Sequence, residues 1–444
     1  MSTPVEIPAS SAWLKLQPRR LLNQLLCLLI AYLAFGYNIN ACLSALVNDN
    51  SGLINIAARA ILLGGSLFFF GYALLLRQIR ISVFALPFLL FLAYYSLRLL
   101  YDIEVKGVVF ARESFFKFYS LYLGNIVIPA LAVILCARYI RVLNLVRYVY
   151  FITAVSNLFI FLYLVDEFGL SQNLFLTRAS LSIESATGEK RHVINAISLA
   201  FNGEVLSLMT ICRLLLGGSR LPRLMHFLLL LLGLINLALG ASRGPLGSFV
   251  LLAFCVLLFN FYVRRKTVFF LLKQLLFAGW VVAIIAGIIF YGLRNNLSFV
   301  TRVFETVDRI SSGEKEVRSY QWESAWDQFK AAPALGDQYL ERYANFYPHN
   351  VYLEVLMATG ILGGTLFLIG LGGVFLKFFK MTRWEQLSIF PLFLMVLAIL
   401  LANITSGSLF GSVPFWILLF TFSAVQTNRF VAEPATGRQY DLTA

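Results

Sequence analysis

Tyr347-Pro348-His349-Asn350-Val351-Tyr352-Leu353-Glu354, running on to Gly360 and Gly363, closes the longest polar segment of the chain and opens a long apolar run. Proline disfavours helix at the residue before it, and asparagine is a good N-cap. A helix is therefore expected to begin at Asn350, with His349 one residue outside it. The apolar run is long enough to cross a bilayer, so His349 falls where an extramembrane loop enters a transmembrane helix. An imidazole there faces the positive end of a helix dipole, which favours its neutral, proton-accepting form.

The rest of the chain agrees with a membrane setting. It has 444 residues, 59% hydrophobic and 13% charged, with a mean hydropathy of +0.80. Soluble domains are about 45–50% apolar and about 25% charged. This is the composition of an all-α polytopic membrane protein. A net charge of +14 would suggest nucleic acid in a soluble protein. Here positive loops that set topology, and contact with anionic lipid head groups, account for it, and no nucleic-acid partner is expected. Cys27, Cys42, Cys136, Cys212 and Cys255 lie in or beside apolar runs without paired spacing, so they read as small membrane-embedded hydrophobes. With His192, His226 and His349 the only histidines, and no acid-rich cluster, neither a metal nor a cofactor is expected.

Reading apolar runs against the ~20 residues needed to cross hydrocarbon gives about twelve spans. They fall near 21–43, 53–76, 81–100, 119–137, 143–165, 194–212, 224–241, 245–263, 268–292, 351–376, 387–405 and 411–427. Short loops rich in arginine and lysine, such as Arg19/Arg20, Arg138/Arg141 and Lys377/Lys380/Arg383, share one side, predicted to be cytoplasmic with both termini. The expected organisation is a bundle of nine helices over 1–292, a large outer loop over 293–350, three helices over 351–430 and a cytoplasmic tail over 431–444. Within the loop, Trp322, Trp326 and Phe329 stand at helical spacing, as in an amphipathic helix lying at the interface.

This topology makes every even-numbered helix begin on the outer side, where its unsatisfied N–H groups favour anions. Arg191, Arg243 and His349 lie just before the sixth, eighth and tenth spans. Arg243, in Gly240-Ala241-Ser242-Arg243-Gly244-Pro245, reads equally as an arginine snorkelling to head groups or as a bidentate clamp on phosphate. Arg191 reads as part of a solvated charge cluster with a rival base, His192. Arg318 heads the amphipathic helix and would hold either phosphate or a neighbouring acid, Glu323 or Asp327. Glu204 and Arg59 are a candidate buried pair, the usual fate of intramembrane charges.

Taken together, Ser242-Arg243-Gly244 between two spans, Arg318…Trp322…Pro333…Gly336 in the loop, and His349-Asn350…Leu353-Glu354…Gly360…Gly363 opening the next span resemble the O-antigen ligase and polymerase superfamily. The resemblance covers Arg191 to Gly364, although the polar, glycine-rich surroundings usual for the first arginine are replaced here by His192-Val193-Ile194-Asn195. It implies a fold like the C-type membrane glycosyltransferases, in a bacterial inner membrane with a periplasmic active site. The donor would be an O-antigen glycan on undecaprenyl diphosphate and the acceptor a sugar hydroxyl of lipid A–core oligosaccharide. Transfer would be metal-independent and inverting, with His349 as base, Arg191, Arg243 and Arg318 on the diphosphate, and Asn350 and Ser242 in support. An O-antigen polymerase, which uses the same donor, is the nearest alternative. A protein-directed oligosaccharyltransferase would be expected to carry a sizeable C-terminal extension, and a transporter of lipid-linked glycans to show inverted repeats.

Overall fold

Long apolar runs in a bilayer must satisfy their backbone internally, and the helix is the local way to do so. The computed structural model describes residues 10–46, 51–76, 81–110, 114–169, 181–184, 190–217, 221–264 and 317–426, with isolated positions between 265 and 316. Its helices in chain order are α1 (Ser10–Phe35), α2 (Tyr37–Leu46), α3 (Ser51–Leu75), α4 (Leu86–Glu104), α5 (Phe115–Tyr122), α6 (Ile128–Cys136) and α7 (Val142–Phe168). There follow α8 (Ala196–Leu216), α9 (Arg223–Leu239), α10 (Arg243–Arg264), α11 (Val317–Ala331), α12 (Val351–Lys380), α13 (Arg383–Thr405) and α14 (Val413–Ala424). A π-helical turn, Leu123–Val127, joins α5 to α6.

Among the described residues, eight helical segments are long and apolar enough to cross a membrane. A ninth results if α1 and α2, bent by 66°, form one span. The expected twelve are not reached. The predicted seventh and twelfth spans form helices of only 17 and 12 residues, and nearly all of 268–292 lies outside the described residues, as do most of 293–316 and the whole 431–444 tail. One departure from an all-α fold is an antiparallel hairpin of β1 (Leu181–Glu184) and β2 (Lys190–Ile194).

Helices α8 and α9 are packed through small residues. A Cβ on Gly203 would lie 2.5 Å from the Gly233 carbonyl oxygen, and one on Gly240 2.6 Å from that of Ala196. Such close approach is how helices gain contact where lipid supplies no hydrophobic drive. Asn157 of α7 ties in to both helices: Asn236 Nδ2 donates to Asn157 Oδ1 at 2.8 Å, and Asn157 Nδ2 to the Asn202 carbonyl at 3.0 Å. The expected pairing of Glu204 with Arg59 does not occur. Glu204 is buried and accepts from Ser248 Oγ at 2.6 Å, while Arg59 is exposed on α3. At the far end of α12, buried Lys377 donates to the carbonyls of Phe422, Ser423 and Val425 at 2.7, 2.9 and 2.5 Å, capping the C-terminus of α14.

Candidate active site

The entry to α12 has the form its sequence predicts. Asn350 is extended, and its Oδ1 accepts from the N–H groups of Tyr352 and Leu353 at 3.0 and 3.1 Å, so the helix starts at Val351. His349 just outside it has φ +56°, a left-handed backbone that costs a non-glycine residue about 1–2 kcal/mol. Its neighbours hold it there: the Pro348 carbonyl accepts from the Trp322 indole N–H at 2.9 Å. The imidazole lies 4.4 Å from the Tyr347 ring, edge-on, and 5.4 Å from Phe346. Burial, and then the Arg318 charge, lower the His349 pKa to about 4. The ring is therefore neutral at pH 7, but for causes other than the helix dipole invoked from sequence.

Gly360 breaks α12. It has φ +60°, and the loop between α11 and α12 fills the break. The Ile361 N–H donates to the Pro333 carbonyl at 2.7 Å, and the Asp337 N–H to the Met357 carbonyl at 2.8 Å. These bonds replace those the helix loses, the condition for irregular backbone at membrane depth. Gly336, at φ +77°, makes the fit possible: a Cβ there would lie 2.3 Å from the Ala358 carbonyl carbon.

A charged clamp holds this loop to α4. Buried Asp102 receives Arg98 Nε and the Tyr339 N–H, both at 2.9 Å. Arg98 Nη1 also reaches the Gly336 carbonyl at 3.3 Å, and Lys106 bridges to Asp337. From the other side, Gln328 Nε2 donates to Asp337 Oδ2 at 3.1 Å and Gln328 Oε1 accepts the Arg342 N–H at 2.8 Å. The buried stripe of α11 is accordingly Gln321, Ala325 and Gln328, while Trp326 points outward. The tryptophans suggested a helix face by their spacing; the glutamines carry its inner contacts.

Glu354, one turn into α12 and fully buried, joins two further elements. Its Oε1 accepts from the Tyr95 hydroxyl at 2.7 Å and its Oε2 from the Leu409 N–H at 2.9 Å. Leu409 leads into Phe410, whose ring meets Tyr347 at 5.8 Å and Phe118 at 5.2 Å. The histidine thus stands on an aromatic layer anchored by a carboxylate.

Two of the three arginines come together around one residue. Arg318 Nη1 donates to the Thr405 carbonyl at the end of α13, at 2.6 Å. A Cβ on Gly244 would lie 2.8 Å from Thr405 Oγ1. The starts of α10 and α11, carrying Arg243 and Arg318, therefore meet at Thr405, and Arg318 is close enough to His349 to lower its pKa. Arg318 bonds this carbonyl rather than sitting against Glu323 or Asp327 as one reading had it. Only Gly240, Ala241 and Ser242 separate α9 from α10, with Ala241 at φ +42°. Arg243 is the exposed first residue of α10.

Arg191 stands apart. Its backbone pairs with Ile183 in the hairpin, and its side chain, like that of His192, lies outside the described residues. The hairpin does end at this face, since Ile194 packs with Leu199 and Leu239. His226 is elsewhere, buried with Nδ1 2.8 Å from the Tyr150 hydroxyl. Sequence reasoning missed Tyr95, Arg98, Asp102, Gln328, Thr405 and Leu409. Among the described residues, no three His, Cys, Asp or Glu side chains form a group able to hold a metal ion.

Residues 228–368 match the family model for O-antigen ligase (Wzy_C). The match supports membership of the O-antigen ligase and polymerase superfamily, and it spans Arg243, Arg318, His349 and Gly360 but not Arg191. No curated protein matches the chain.

Proposed function

We propose that this protein is an O-antigen ligase, moving a glycan from undecaprenyl diphosphate to a sugar hydroxyl of lipid A–core oligosaccharide at the periplasmic face of a bacterial inner membrane. The observation that carries the reading is a neutral, half-buried His349 held beside Arg318, with Arg318 and the start of Arg243's helix both resting on Thr405. The acceptor hydroxyl oxygen bonds to the anomeric carbon, and its proton passes to His349. The bond from that carbon to the diphosphate oxygen breaks, and undecaprenyl diphosphate leaves with the electron pair. Direct displacement of this kind inverts the anomeric carbon.

The electrostatics favour this sequence of events. A sugar hydroxyl is a poor nucleophile, and a positioned neutral imidazole supplies a general base worth about 10²–10⁴ in rate. Arg318 lowers the basicity of His349 in the empty site. A bound diphosphate offsets that charge, so the base strengthens when the donor is present. Arg243 and Arg318 then meet the charge that develops on the leaving group, without a metal, and preorganised cations act most strongly where water is scarce. Arg191 is assigned to the same diphosphate on the weaker ground that its hairpin ends at this face. Asn350 serves by fixing the helix entry, and Ser242 by shaping the turn before Arg243.

Purified protein with lipid-linked donor and core acceptor tests the assignment. Covalent product in the presence of EDTA is expected from wild type, with formation slowed by about 10²–10⁴ in His349→Ala at equal protein levels. Deletion of the gene separates the ligase from a polymerase. A ligase loss leaves long polymer on the carrier and core uncapped; a polymerase loss leaves single units still transferred.

A further inference from the structure

We propose a second phosphate site, at the opposite end of the bundle from His349, in the open pocket between α1 and α7. Arg20, Asn23, Gln24, Arg141 and Asn144 line a space of about 200 Å³. That is several times the ~30 Å³ a water molecule occupies in the liquid, enough for one phosphate group. Its place follows from the packing of α1 on α7. Asn144 Nδ2 donates to Asn23 Oδ1 at 2.7 Å, and twelve residues further along each helix Ser156 Oγ reaches the Phe35 carbonyl at 3.4 Å, so the two run parallel. At the other end of α7, Ile160 and Leu164 cluster with Leu239, just before the turn that carries Arg243. The two sites are thus separated by roughly the length of α7, on the order of 40 Å at 1.5 Å per residue.

The walls are built for an anion. Arg20 on α1 and Arg141 at the N-cap of α7 supply two exposed guanidinium groups, and the three other lining side chains are carboxamides. No acid lines the pocket, and none occurs in the sequence between Glu6 and Asp49 or between Glu113 and Asp166. The floor is fixed in advance. Buried Asn23 donates Nδ2 to the Tyr139 carbonyl, and the Arg141 carbonyl accepts from the N–H groups of Asn144 and Leu145, both at 3.0 Å. Arginine pairs match phosphate oxygens bidentately. The ligand class is a phosphate group, carried either by an anionic glycerophospholipid or free in solution.

Native mass spectrometry of the full-length protein, released from detergent containing phosphatidylglycerol, reads the first source. Thermal unfolding in inorganic phosphate against chloride at equal ionic strength reads the second. The control is Arg147→Gln, an exposed arginine on the same helix that does not line the pocket. Arg20→Gln/Arg141→Gln is expected to lower retained phosphatidylglycerol at least fivefold relative to that control, or to abolish a phosphate-dependent rise in Tm. The first result assigns the site to a lipid and the second to soluble phosphate. Arg141→Gln alone serves if the double variant does not fold, with a loss of at least twofold expected. Equal retention and equal Tm shifts in variant and control would overturn the site.

Discussion

The two turns that deliver the candidate base and the candidate clamp are built in opposite ways. His349 sits at the end of a loop bonded at every stage: to α4 through Asp102, to α11 through Gln328 and Trp322, and to the broken middle of α12 through Pro333 and Asp337. Arg243 follows a turn of Gly240, Ala241 and Ser242, placed by the close packing of Gly240 on Ala196 and Ala200. The base is held by hydrogen bonds to distant parts of the chain. The clamp is held by backbone geometry, on the exposed first residue of α10. A reaction that must take a proton at one fixed atom, yet grip a mobile lipid-linked anion, suits this division.

The largest expected effect breaks the fixed half. His349→Ala should lower turnover by about 10²–10⁴ with little change in unfolding temperature, measured as product formed in proteoliposomes. The pH profile sharpens the point. With a pKa near 4, His349 remains about 90% neutral at pH 5, where an unperturbed histidine near 6.5 would be only about 3% neutral. kcat/KM, which reports the free enzyme, should therefore hold between pH 7 and pH 5. Arg318→Gln removes a lowering influence, so its acid limb should move to higher pH. An unmoved limb would break the electrostatic link between the two residues.

The clamp should respond less. Arg243→Ala and Arg318→Ala each remove a cation from the proposed leaving-group site, and losses of about 10²–10³ in kcat are expected by analogy with removal of an oxyanion donor. Arg318→Lys should recover little of the loss, because Arg318 bonds the Thr405 carbonyl in a fixed direction that an ammonium does not reproduce. Full recovery by Arg318→Lys would break that assignment.

A smaller effect tests the joint itself. Gly360→Ala adds a Cβ 2.5 Å from the Ala334 carbonyl oxygen at a φ of +60°. Overpacking and left-handed strain together predict a loss of about 2–4 kcal/mol, read as a lowered Tm. Gly372→Ala, with open space around its Cβ, should leave Tm nearly unchanged.

What could be read from the sequence followed the range of the forces involved. The N-cap at Asn350, the short turn before Arg243 and the helix from Arg318 are set by neighbours a few residues away, and they were legible. The glycines at 336 and 360 stood out as a pattern, but their reason did not, because each is small to admit the other's backbone. Arg98 and Asp102 gave no signal: they are partners of Gly336 and Tyr339, 238 and 237 residues distant. The hairpin gave little signal because Leu181–Glu184 alternates over only four residues and Lys190–Ile194 does not alternate.

Glu354 tests whether a buried carboxylate can act as a scaffold beside the base. Both of its oxygens accept, one from a hydroxyl that can rotate and one from a backbone N–H that cannot. Glu354→Gln can direct its amide oxygen to Leu409 and its NH₂ to the Tyr95 oxygen, which then accepts instead of donating. The cost should be about 1 kcal/mol or less, as for a neutral hydrogen bond replacing a stronger one. Glu354→Leu leaves the Leu409 N–H and the Tyr95 hydroxyl buried without a partner, at about 1–3 kcal/mol each. If the carboxylate acts only by pinning Leu409, and through Phe410 the aromatic layer under His349, Glu354→Gln should keep both the acid limb of kcat/KM and most of kcat. A shifted limb with unchanged Tm would mean that its charge, and not its geometry, reaches the base.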